Sequence, residues 1–206
     1  MTANIPVVFV VEDDRAVREA IDGLLRSAGF HVRLFNSASE FLLERSPGDV
    51  GCLILDVRMP GISGLDLQRE LIKANIRIPT IFITGHGDIR MSVQAIKAGA
   101  VEFLTKPIDA ANLLDAVESA MDKVRAESLD NIELANLRRK FDSLTTRERE
   151  VMLLVVAGLL NKQIAADVGI SEIMVKIHRG KAMRRMEANS LADLVRMAER
   201  LALPTG

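Results

Sequence analysis

Five residues carry chemistry if they meet: Glu12 and Asp13, then Asp56, Thr84 and Lys106. Each closes a short apolar run of the kind that forms a buried strand, namely Val7–Val11, Cys52–Leu55, Thr80–Ile83 and Glu102–Thr105. In a parallel sheet these run ends lie on one edge, so three carboxylates, a hydroxyl and an ammonium converge there. Carboxylates held together repel, and ionising one raises the cost of ionising the next. A hard divalent cation relieves that repulsion, and Mg²⁺, with Mn²⁺ as a substitute, takes a few carboxylate oxygens plus waters. With the cation and Lys106 screening its charge, Asp56 becomes a nucleophile towards phosphorus. Thr84 is then placed to donate a hydrogen bond to a phosphoryl oxygen. Singly, each residue has a plainer role. Acidic residues after strands cap the next helix, as Asp14 is expected to do, a lone lysine is solvated, and a threonine ends a strand. Convergence, not any one residue, makes the chemical reading.

The elements that position these residues alternate in type. With Val32–Phe35 added, the runs make five strands, rich in β-branched and aromatic residues as buried parallel strands are. Amphipathic stretches separate them, with a capping box at Ser37 and Glu40 and helix-ending glycines at Gly29 and Gly99. Five strand–helix pairs in series predict a doubly wound α/β fold with a five-stranded parallel sheet, which takes ligands at the carboxyl ends of its strands.

From Ile108 to Ala157 there is neither Gly nor Pro. Leu113, Ala116, Val117, Ala120, Met121 and Val124 recur at helical spacing there, which predicts a helix over Asp109–Phe141. The division expected is a first domain over 1–124, a helical linker over 125–141 and an all-α domain over 142–206. In the last, Thr145, Ser171 and Ser190 are helix starts and Pro204 a stop. Asn161–Met186 reads as a helix–turn–helix: Asn161 caps a short helix over Lys162–Val168, Gly169 turns, and Ser171 caps a longer helix. On that longer helix Val175, Ala182 and Met186 share an apolar face flanked by Met183. Ile173, Ile177, Gly180, Lys181 and Arg184 occupy the opposite face, with Lys176 and Arg179 at the sides. Such a helix packs inward while entering a major groove; a three-helix interaction domain with a solvated basic face is the alternative.

Composition narrows the classes. The 206 residues are 49% hydrophobic and 27% charged, which excludes a disordered chain. The single cysteine, Cys52, excludes an intrachain disulfide framework, points to a reducing compartment and reads as a small buried hydrophobe. No apolar run approaches the length of a bilayer span, and Val7–Val11 leads straight into acidic residues. A soluble, cytoplasmic protein without membrane contact is expected. Charge is mildly segregated, at −4 over residues 1–123 and +2 over 142–206. His31, His86 and His178 are scattered, and no glycine-rich nucleotide loop follows the first strand. A small metal-dependent phosphatase and a helical module that grips another protein are the rival functions.

Residues 4–124 resemble the receiver domain of two-component response regulators. The motifs are Phe-Val-Val-Glu-Asp-Asp (9–14), Asp-Val-Arg-Met-Pro-Gly (56–61) with Gly64, Thr-Gly-His-Gly-Asp (84–88) and Lys-Ala-Gly-Ala-Val-Glu-Phe-Leu-Thr-Lys-Pro (97–107). The resemblance implies Asp56 as the acceptor of a phosphoryl group from a histidine kinase. It implies Mg²⁺ held by the Asp13 and Asp56 side chains and the Arg58 carbonyl, with Glu12, where Asp is commoner, reaching it through water. It further implies a cis peptide at Lys106–Pro107, a switch in which Thr84 moves and Phe103 turns inward, and dimerisation through residues 89–120. Arg58 and His86, two residues beyond Asp56 and Thr84, are expected to shield the acyl phosphate from water.

The last 65 residues resemble the LuxR-type DNA-binding domain. The motifs are Leu-Thr-Thr-Arg-Glu-Arg-Glu-Val-Met (144–152), Ala-Gly-Leu-Leu-Asn-Lys-Gln-Ile-Ala (157–165), Gly-Ile-Ser (169–171), Val-Lys-Ile-His-Arg (175–179) and Asn-Ser-Leu-Ala-Asp-Leu-Val-Arg (189–196). Together the two halves are most similar to FixJ-like transcriptional activators. That resemblance implies DNA contacts from Lys176 and Ile177, with Lys162 and Arg179 near phosphates. Ile173 and Met174 stand where the family usually has Arg-Thr, which implies either lower affinity or a different operator preference, including contact with thymine methyls. The expected protein is not an enzyme beyond self-phosphotransfer and autodephosphorylation at Asp56. It dimerises on phosphorylation, binds double-stranded promoter DNA, meets RNA polymerase and activates transcription.

Overall fold

The structure is a computed structural model in which residues 5–46, 48–85 and 99–203 are described. Strands β1 (Val7–Val11), β2 (His31–Phe35), β3 (Gly51–Asp56), β4 (Thr80–Thr84) and β5 (Glu102–Thr105) form one sheet in the order β2-β1-β3-β4-β5. Every pairing is parallel. Helices α1 (Arg15–Ser27), α2 (Ala38–Glu44) and α3 (Gly64–Lys73) connect the first four strands, and α4 (Ala110–Asp142) follows β5. The doubly wound fold is as expected. Three strands outrun their apolar stretches because ladder pairing continues past them: His31 and Gly51 both pair with Val7, and Thr84 pairs with Thr105.

Alternation along each strand builds two cores, one per sheet face. Val8, Val10, Cys52, Ile54, Ile81 and Ile83 join α1 and α4 on one face. Phe9, Val11, Leu53, Leu55 and Phe82 join α2 and α3 on the other. Phe9, Phe35 and Phe41 pack there edge-on or tilted, at centroid separations of 5.2–6.4 Å. Gly51 opens β3 because a Cβ there would lie 1.8 Å from the Val7 carbonyl oxygen.

The caps follow their side chains. Asp14 accepts from the Ala16 and Val17 N–H groups, and Ser63 from Asp66 N–H. Ser37 accepts from Glu40 N–H as expected, but the Glu40 carboxylate reaches back to Asn36 N–H rather than to the cap residue. Gly29 follows α1 with φ +87° and Gly99 has φ +89°, backbone that a side chain disfavours. The peptide Lys106–Pro107 is cis.

Contacts divide the chain into two units, Met1–Glu127 and Ser128–Gly206. Helix α4 runs unbroken for 33 residues through the expected linker. Leu113, Ala116, Val117, Ala120, Met121 and Val124 are all buried, whereas Leu129 and Ile132 are exposed. The second unit adds α5 (Thr146–Val156), α6 (Asn161–Val168), α7 (Glu172–Met186) and α8 (Leu191–Arg200). Its core includes Leu137, Val151, Val155, Ile164, Val175, Met186 and Leu194. Leu137 thus belongs to this core although it lies within the stretch read as linker. One cap needs correction. Asn161 is the first residue of α6, not its cap. Leu160 holds the cap position and donates its N–H to the Gln163 side chain at 2.8 Å, and Asn161 Oδ1 is buried with no hydrogen-bond partner among the described residues. Among the described residues no helix is long and apolar enough to cross a membrane.

Candidate functional site

The carboxyl edge of the sheet brings the predicted residues together. Glu12 follows β1 and is fully buried, Asp13 beside it is exposed, and Asp56 ends β3 nearly buried. Backbone and side chains fix these groups. Asp14 N–H donates to Glu12 Oε1 at 3.1 Å, and Arg18 Nη1 holds the Glu12 carbonyl at 2.6 Å. Arg58 N–H donates to Asp56 Oδ1 at 2.9 Å. Lys106 Nζ lies 2.7 Å from Asp56 Oδ2 and 2.7 Å from Glu12 Oε2, so one ammonium bridges two carboxylates. Thr84 ends β4 fully buried, and its carbonyl accepts from Lys106 N–H at 2.8 Å.

Glu12, Asp13 and Asp56 each offer an oxygen within 4.8 Å of the others. Burial pushes the Glu12 carboxyl above the usual carboxylate range, and the charge of Asp56 adds to the rise against the opposing pull of Lys106. Burial acts to lower the Lys106 ammonium, but its bonds to Asp56 and Glu12 outweigh that and hold it above its ordinary value. Three carboxylates face one ammonium, so negative charge is left over in an all-oxygen donor set. Such a set fits a hard divalent cation.

The remaining receiver residues fall as follows. Arg58 is exposed beside Asp56. Phe103 is half-buried, with its ring centroid 6.5 Å from that of Phe82. His86 and residues 89–98 of the expected dimer face lie outside the described residues. Gly64 takes on a role that motif reading alone does not explain. A Cβ there would come within 2.2 Å of the Asp56 carbonyl oxygen, so α3 starts hard against the acceptor residue. Cys52 is fully buried, and burial pushes its thiol up to about 12, which suits a core residue.

In the second unit Gly169 turns α6 into α7 with φ +68°, and Ser171 accepts from Met174 N–H to cap α7. Val175, Ala182 and Met186 are buried and Met183 is half-buried, as the wheel required. Ile173, Ile177, Gly180, Lys181 and Arg184 are all exposed on the opposite face. Lys176 and, on α6, Lys162 are exposed too, and Arg179 is half-buried. An ion pair missed in the sequence anchors the helix. Arg185 Nη1 meets the buried Glu148 at 2.6 Å and the Ser143 carbonyl at 2.9 Å. Glu148 also closes the capping box with Thr145, and the Thr145 N–H holds its carboxyl below the usual range. The helix start at Thr145 was legible; the partner 37 residues away was not.

An acidic strand-end pocket with a bridging lysine, followed by a helix–turn–helix unit, defines a response regulator that controls transcription. The chain belongs to that family: residues 8–118 match the response regulator receiver domain, and residues 142–198 match the bacterial regulatory proteins of the luxR family. Nodulation protein W of Bradyrhizobium diazoefficiens is 52% identical over 197 residues, covering 96% of this chain and 87% of that protein. Transcriptional regulatory protein FixJ of Rhizobium meliloti is 42% identical over 191 residues, covering 93% and 94%. The solved structure of response regulator StyR aligns with a TM-score of 0.81 at 49% identity, over 95% of this chain and 98% of that one. The receiver domain implies a histidine kinase as partner, and the luxR-type domain implies DNA. Neither is a module of a typical enzyme.

Proposed function

We propose that Asp56 accepts a phosphoryl group from a histidine kinase and that this converts the chain into a promoter-binding dimer. The observation that carries the reading is Lys106 Nζ, held 2.7 Å from both Asp56 and Glu12 at the strand ends. A carboxylate oxygen of Asp56 attacks phosphorus, the bond from phosphorus to the imidazole nitrogen breaks, and an acyl phosphate forms. Glu12, Asp13 and Asp56, with the Arg58 carbonyl, are the residues that would hold Mg²⁺, or Mn²⁺ in its place. The cation, when bound, neutralises charge on the phosphoryl oxygens. Lys106 pairs with the same oxygens once the acyl phosphate has formed, and Thr84 donates its hydroxyl to one of them. Phe103 then fills the space that Thr84 leaves, and exposed Arg58 slows the approach of water. Hydrolysis at Asp56 returns the chain to rest, with no other reaction expected.

The second unit reads DNA with α7. Its apolar side is buried and its opposite side carries Lys176, Lys181 and Arg184; Lys162 and Arg179 are the residues that would meet phosphates. The receiver domain over 1–124, the linker over 125–141 and the DNA-binding domain over 142–206 act in the cytoplasm, where the dimer places two α7 helices on one operator and meets RNA polymerase to activate transcription. Fluorescence anisotropy on a duplex, with and without a small phosphodonor, tests the coupling. Phosphodonor-dependent tightening that is lost in Asp56→Asn is expected; equal binding by both proteins overturns it.

A further inference from the structure

Ile173 is 70% exposed, Met174 40% and Ile177 43%, all on the N-terminal half of α7. Ile173 and Ile177 stand four residues apart and so share one side of the helix. Isolated apolar residues on a surface need no explanation, but three within five positions of a helix that enters a groove do. One turn beyond, Gly180 continues the same stripe. Glycine inside a helix is unfavourable relative to alanine. Among the described residues nothing requires it, since a Cβ at Gly180 would meet none of their atoms within 4 Å. The space is therefore kept for something outside the molecule. Lys176, Lys181 and Arg184 border the stripe and favour a polyanion over an apolar protein groove.

From these positions we infer that Ile173 and Ile177 read the 5-methyl groups of thymines in the major groove, and that Gly180 lets the duplex approach the helix closely. The inference rests on the DNA-binding reading of α7 and names the base chemistry it selects. The N-terminal residues of a recognition helix are the ones that reach base edges. In the major groove the thymine methyl is the apolar feature that a branched aliphatic side chain can match, whereas Ile offers no hydrogen bond to guanine. Lys176, between the two isoleucines, supplies the charge that holds the register.

The test uses the full chain, treated with a phosphodonor, to select duplexes from a pool with a randomised core. The selected duplex is then remade with uracil in place of each thymine in turn, which removes only the methyl. Each methyl read should cost about 4-fold in affinity, the equivalent of one buried methylene. Ile173→Ala and Ile177→Ala should bind more weakly and lose that sensitivity. Gly180→Ala should melt no lower than wild type yet bind the selected duplex at least tenfold more weakly. Selected sites that tolerate uracil at every position overturn the methyl reading, as does undiminished binding by both isoleucine variants, which would assign the patch to a protein. Undiminished binding by Gly180→Ala overturns the close approach. No salt-dependent duplex binding at all overturns the DNA reading itself.

Discussion

Arg185, near the end of the recognition helix α7, donates to the carboxylate of Glu148 at 2.6 Å, and Glu148 is buried at the start of α5. The same guanidinium holds the Ser143 carbonyl, so the orientation of α7 is tied to the first turn of the helix beneath it.

Replacing Glu148 with Gln should lower the stability of the second unit by about 1–2 kcal/mol, from loss of the charged bond, discounted because Arg185 is partly exposed. Thermal melts that follow helix content would show it as roughly 4–16 °C in a unit of this size. Affinity for duplex should fall further than the melt alone accounts for, because α7 loses its tether.

The same carboxyl sets an acid limit. Its folded-state value lies below the ordinary 4.5, chiefly through the Thr145 N–H. A lowered carboxyl contributes stability that is present above its unfolded value and is lost as pH falls through the folded one. Unfolding midpoints taken from neutral pH downward should therefore drop below pH 4.5 more steeply in wild type than in Glu148→Gln. Parallel curves would remove Glu148 from the account.

Divalent cation should stabilise the receiver unit, because Lys106 pairs with Glu12 and Asp56 but not with the third carboxylate of the cluster, Asp13. At a hundredfold excess over its Kd, Mg²⁺ adds roughly 2.7 kcal/mol. The midpoint should rise with Mg²⁺ in wild type and much less in Asp13→Asn. An equal rise in both would take Asp13 out of the site.

Gly64→Ala should cost about 3 kcal/mol, at the upper end for overpacking, since its Cβ would press on the Asp56 carbonyl oxygen. Urea unfolding measures the loss, and phosphorylation by a small phosphodonor should slow with it. A midpoint within error of wild type would contradict the close approach.

Lys162→Ala should weaken binding to every duplex alike and reduce the slope of log affinity against log salt by about 1, the signature of one phosphate contact. A sequence-dependent loss would place Lys162 at a base instead.

The sheet was readable because each of its strands is a short apolar run ending in a polar residue, and parallel topology then forces Glu12, Asp56, Thr84 and Lys106 onto one edge. The buried face of α7 was equally plain, since Val175, Ala182 and Met186 recur at helical spacing. Interactions between distant positions were not readable. Nothing local pairs Arg185 with Glu148, and nothing in the identity of Gly64 says that the Asp56 backbone lies against it. Asn161 misled for a different reason: its type is that of a cap, but the cap position falls on Leu160, whose own N–H donates to the Gln163 side chain.

The most direct test is sedimentation paired with intact-mass analysis of the full chain in Mg²⁺, before and after a small phosphodonor, with Asp56→Asn alongside. The account predicts that wild type gains one phosphoryl group and sediments as a dimer, while Asp56→Asn does neither. A phosphoryl group acquired equally by Asp56→Asn, or a fully phosphorylated wild type that stays monomeric, would contradict it.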